Sequence, residues 1–118
     1  MAEAYLRELE VLLEQMDGAA DIEARHFFSG AAAYADGRIF ASLTPVGLAL
    51  KLSEADRAAL QHLGATPLQY FPKAPIKKDY LVLPDAIADD ANARDGWIEK
   101  SVAYVLTLPK PKAKSGGR

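Results

Sequence analysis

The sequence contains no cysteine, only two histidines, two methionines and one tryptophan. The first absence excludes disulfides, thiolate metal centres and cysteine nucleophiles together, and it leaves the redox compartment open. His26 and His62 show no H-x-x-x-H spacing and no accompanying carboxylate cluster. They fall short of the ligand set a zinc site needs, so no metal and no cofactor is expected. There is no G-x-S-x-G, and Gly30, Gly37, Gly47 and Gly64 follow no phosphate-cradling pattern. Ser29, His26 and Asp36 could be imagined as a triad, but Ser29-Gly30 reads more simply as a turn or bulge. No catalytic residue is assigned, and the chain is not expected to be an enzyme. No apolar run approaches the roughly eighteen residues of a membrane span. The start, MAEAYLRELEVLLEQMD, lacks the basic opening and continuous apolar core of a signal peptide. The expectation is a soluble, cytoplasmic protein with no membrane partner.

What is present is the composition of an ordinary globular domain. The chain has 118 residues, 50% hydrophobic and 25% charged, enough for one modest core. Its net charge of −2 hides a segregation. Residues 1–24 carry seven acids against Arg7 alone, whereas residues 109–118 carry four bases and no acid. The folded part is therefore acidic, which argues against a large nucleic-acid-binding face on it. The division expected is a domain over 1–108 and a disordered basic tail over 109–118.

Residues 2–16 read as a helix, with Tyr5, Leu9, Leu12, Leu13 and Met16 on one face and Asp17-Gly18 as its stop. Ile22 to Phe28, Ala31 to Ala35, Arg38 to Leu43 and Leu48 to Leu52 read as four short strands. Asp36-Gly37 suits a type I′ hairpin turn, which needs positive φ at both central residues. Connections this short imply an antiparallel meander. Ser53 caps a second helix with Asp56 three residues on, its buried side marked by Leu60 and Leu63. A strand at 66–72 has proline near each end, which suits a sheet edge open to a partner. A lysine-rich loop, 73–79, follows, then the strand Tyr80 to Leu83. Asp85 to Asp90 suits one helical turn. A last helix, capped by Asp90 or Asn92, carries Ile98, Val102 and Val105 on one stripe and Trp97, Ser101, Tyr104 and Leu108 on the next. The Asp89-Asp90 pair suits a helix start better than a cation site. The order α-β-β-β-β-α-β-β-α predicts an α+β two-layer sandwich of three helices on an antiparallel sheet of five to six strands.

Two residue groups stand out as candidate surfaces. Arg25, His26, Phe28, Gly30 and Tyr34 surround the break between the first two strands, where Arg25 could meet an anion beside the small alanines 31–33. Lys73, Lys77 and Lys78, interleaved with Tyr70, Phe71 and Tyr80, form a basic patch whose mix suits stacked bases and phosphates. A solvated loop with aromatics turned into the core explains the same residues.

The ordered set Arg25, Phe28, Gly30, Tyr34, Asp36-Gly37 and Phe40-Ala41 resembles the TfoX/Sxy N-terminal domain family, named for a regulator of natural competence. The likeness continues through Leu48-x-Leu50-Lys51, Asp56-Arg57, Gly64 before Pro67, Tyr80-x-x-Leu83-Pro84 and Trp97, and covers roughly residues 5 to 108. Ser29 departs from it, standing where the family has the first glycine of Met-Phe-Gly-Gly. Longer members continue into a helical domain thought to approach DNA, which this sequence lacks, and that weakens any inference of DNA binding. The resemblance implies an α/β two-layer domain with a regulatory association and no established catalytic residues. The reading that follows is a non-enzymatic regulatory or protein-interaction domain, working as a homodimer with a further protein partner. The alternatives are a small-ligand domain with an anion pocket near Arg25, and weak nucleic-acid binding through the lysine loop and tail.

Overall fold

Short turns and alternating side chains bring six strands into one antiparallel sheet. The computed structural model describes residues 2–14, 21–27, 30–69 and 73–109. Its elements are α1 (Ala2–Leu13), β1 (Ile22–Phe27), β2 (Gly30–Ala35), β3 (Arg38–Thr44), β4 (Gly47–Lys51), α2 (Glu54–His62), β5 (Thr66–Leu68), β6 (Lys77–Val82), α3 (Asp85–Ala88) and α4 (Ala91–Val105). Across the sheet the order is β1-β2-β3-β4-β6-β5, every neighbouring pair antiparallel. This is the expected two-layer α+β fold, with one helix more than expected because the turn at 85–88 stands as an element of its own. Among the described residues, no helix is long and apolar enough to cross a membrane.

The turn between β2 and β3 forms as its sequence dictates. Asp36 and Gly37 both have positive φ, 51° and 83°, and glycine takes the second without a Cβ penalty. Asp36 also anchors β1. Its N–H donates to Asp21 O at 2.8 Å, and its Oδ1 accepts from Asp21 N–H at 2.7 Å.

One face of the sheet carries the helices. Alternation places Ala31, Ala33, Leu43, Leu48, Leu50 and Leu81 there, and they form one core with Leu9 and Leu13 of α1, Leu60 of α2 and Ile98, Val102 and Val105 of α4. Each fully buried leucine contributes roughly 1.5–3 kcal/mol. On the other face the register aligns three small residues, Ala32, Ser42 and Ala49, across β2, β3 and β4. All three are fully buried.

Both caps are seen. Asp56 N–H donates to Ser53 Oγ at 3.2 Å at the start of α2. Asp90 Oδ1 accepts from the N–H groups of Asn92 and Ala93 at the start of α4. Asp90 of the acidic pair thus serves the start of α4, as expected for a carboxylate at the positive dipole end, while Asp89 is the C-cap of α3.

Three local expectations are corrected. Leu63 is 56% exposed rather than buried, because α2 ends at His62 and Leu63 turns out of the helical stripe as its C-cap. Lys77, Lys78 and Asp79 belong to β6 rather than to a loop, since pairing of Leu68 with Lys77 extends the strand through polar residues. The strand expected over 66–72 is limited to Thr66–Leu68 among the described residues, with a register shift at Pro67/Leu68. The stop at Asp17-Gly18, the residues Phe28, Ser29, Tyr70 and Phe71, and the tail beyond Pro109 lie outside the described residues.

Candidate functional site

Arg25 and His26 are neighbours on an edge strand, so the pleat sends them to opposite faces. Arg25 lies on the face away from the helices with Tyr34, its guanidinium 5.2 Å from the ring centroid. On the same face it meets Glu23, two residues back, at 3.0 Å. Both side chains are more than half exposed. The hydrogen bond and charge of Arg25 hold the Glu23 carboxyl below its usual range, and Glu23 raises Arg25 in turn. An anion pocket at Arg25 would need that guanidinium unpaired and facing a cavity. It is paired, and the cleft at this end of the sheet lies on the other face.

That cleft, of about 540 Å³, sits between α1 and β1 and is lined by Ala4, Leu6, Arg7, Glu10 and His26. Arg7 and Glu10 are three residues apart on a helix and so share a flank. That spacing was visible in the sequence, but nothing there joined it to His26. Arg7, Glu10 and His26 are all exposed. His26 is also remote from Asp36. They face Ala31 and Asp21 respectively, which puts them five residues apart along the ladder, about 17 Å.

Gly30 has a steric role. A Cβ there would stand 2.1 Å from the backbone oxygen of Leu43 and 2.9 Å from Thr44 Cα, so β2 can start this close to β3 only with glycine. Arg57 of the ordered motif set, and Arg38 and Ser101 outside it, are engaged in scaffolding. Arg57 Nη1 donates to Leu52 O at 2.6 Å and faces Asp79 Oδ1 at 3.6 Å, tying α2 to the end of β4 and to β6. Arg38 Nε donates to Leu108 O at 2.8 Å, fixing the turn after α4 beside the β2–β3 hairpin. Ser101 Oγ bridges Phe40 O and Lys51 O at 2.9 and 2.6 Å.

The basic patch is not one loop. Lys73, Lys77 and Lys78 are all exposed, but Lys77 and Lys78 lie on β6, where pairing with β5 is irregular. Tyr80 has the Lys51 ammonium 5.9 Å from its ring centroid. Among the described residues, no three His, Asp or Glu side chains are grouped as metal ligands.

The model of the TfoX N-terminal domain family matches residues 14–104. No curated protein matches the chain.

Proposed function

Since the chain belongs to the TfoX N-terminal domain family, we propose that it is a non-enzymatic regulatory domain that works by binding other protein chains, itself included, as a homodimer. The observation that carries this reading is how the motif residues are used. Asp36 holds a strand, Gly30 admits a close strand approach, and Arg57 ties a helix to strand ends. Arg25 is paired to Glu23 on an exposed face. Residues employed in this way build a surface, and a rigid sheet edge is a common means of protein recognition. A cytoplasmic site of action fits this role.

The test is affinity capture from the native cell with the full chain as bait, beside transcript profiling of a deletion strain. The expected result is a stoichiometric protein partner, displaced by untagged chain, and a defined set of altered transcripts. Turnover of a small molecule by the purified chain, abolished by His26→Ala, would overturn the reading. Nucleic-acid binding has weaker support, because the chain carries a net charge of −2 and its phosphate-binding cations are few. A mobility shift at low salt is expected to show no complex with the domain.

A further inference from the structure

We propose that two copies of this chain associate through β1, antiparallel about a two-fold axis at Ala24, so that Glu23 of each copy meets the partner's Arg25. The inference rests on the homodimer reading above and assigns its interface.

β1 ends the sheet and pairs only with β2 among the described residues. The direction of its backbone groups follows from one hydrogen bond. Asp36 N–H donates to Asp21 O, so Asp21 and Asp36 are a hydrogen-bonded pair. Such pairs alternate along an antiparallel ladder. Glu23 and Arg25 therefore turn their N–H and C=O groups toward β2, while Ile22, Ala24 and His26 turn theirs outward. The side chains divide in the same rhythm. Ile22 and Ala24 pack against the core on the helix face, and Glu23 and Arg25 stand on the other face, 53% and 60% exposed.

A second β1 can complete this edge only if outward residues meet outward residues. Charge then selects among the two-fold registers that satisfy the rule. An axis at Glu23 sets two carboxylates opposite each other, and an axis at Arg25 sets two guanidinium groups opposite each other. An axis at Ile22 or His26 shortens the overlap. An axis at Ala24 pairs Ala24 with itself and Ile22 with the partner's His26, giving about six backbone hydrogen bonds. It also places Glu23 opposite the partner's Arg25, twice, in the non-hydrogen-bonded positions where Cα atoms are about 4.5 Å apart. The exposed Glu23–Arg25 pair within each strand becomes half of a four-charge cluster. A charged edge discourages most strands from adding to it. This one is complementary to itself.

The other edge is a poorer template. β5 has three residues, and its central one, Pro67, has no N–H to donate.

Sedimentation velocity on the full chain tests the assignment. The wild type is expected to run as a dimer. Glu23→Arg and Arg25→Glu each place like charges opposite one another twice, and each is expected to weaken the dimer about 30-fold or more. An equimolar mixture of these two variants restores both ion pairs and is expected to recover a dimer, as is the double reversal E23R/R25E. Ala24→Pro removes an outward N–H without taking a bond from β2, and is expected to give a folded monomer with wild-type far-UV circular dichroism. A dimer that ignores all of these changes overturns the β1 interface and leaves the homodimer reading standing. A wild-type monomer at the highest soluble concentration overturns both.

Discussion

Two buried serines allow one chemical change to be made in two environments with opposite expected signs. Ser101 and Ser42 are both fully buried. Ser101 Oγ, on α4, reaches two backbone carbonyls that the sheet leaves over. Phe40 is the extra residue of a bulge, since the register passes from Ala33 opposite Ala41 to Tyr34 opposite Ile39. Lys51 lies one residue past Leu50, where the ladder of β4 with β3 ends. The hydroxyl has one proton to share between them, and the shorter contact, 2.6 Å, is to Lys51 O. Ser101→Ala removes a hydrogen bond worth about 1 kcal/mol net and leaves buried carbonyls underbonded at about 1–3 kcal/mol. A loss of about 2 kcal/mol is expected, or a fall in Tm of about 8 °C for a domain of this size. Ser42 Oγ is buried with no hydrogen-bond partner among the described residues. Ser42→Ala removes an uncompensated desolvation cost and is expected to be neutral or to stabilise by about 1 kcal/mol. Urea unfolding followed by circular dichroism measures both, with m unchanged. The two variants should differ by about 2–3 kcal/mol. Equal destabilisation by both, or a Ser101→Ala variant indistinguishable from wild type, would refute the reasoning that partners, not burial, set the sign.

Four further outcomes are expected. Gly30→Ala forces a Cβ into the Leu43 carbonyl and should cost about 3 kcal/mol or more, read as a loss of folded protein or a large drop in urea midpoint. Arg57→Ala deletes a charged donor to Leu52 O and should cost about 1.5–3 kcal/mol. Asp79→Asn, acting only on the exposed partner at 3.6 Å, should cost less than about 1 kcal/mol in the same assay. The Glu23 carboxyl should titrate by NMR below its usual 4.5, and Arg25→Ala should return it toward that value. Because its folded pKa is depressed, any stability it adds is present above pH 4.5 and is lost as pH falls through the lowered value.

Much of the candidate surface was legible as residues but not as an arrangement. Arg25 and His26 adjoin in sequence and suggest one site. The pleat separates them, and only the placement of α1 decided that His26 shares a groove with Arg7 and Glu10. Lys73, Lys77 and Lys78 suggest one loop, and pairing with β5 draws two of them into β6. Gly30 reads as a generic break until the neighbouring strand shows that its backbone occupies the space of a side chain.

The sequence by itself determined what depends on neighbours along the chain. Asp36-Gly37 made its turn because two positive φ angles are needed there, and Ser53 and Asp90 made their caps because a side-chain oxygen lies within reach of free N–H groups. The stripe of Leu9 and Leu13 set the buried side of α1. Tertiary structure decided what depends on residues far apart. It placed β6 between β4 and β5, which drew Lys77 to Asp79 into a strand despite their charge. It put Ser101 within reach of Phe40 and Lys51. It also left β1 at the end of the sheet, with alternate backbone groups turned outward. Local rules fix dihedral angles and faces. Which strand lies beside which is fixed by burying the whole apolar face at once, and no short stretch of the chain encodes that.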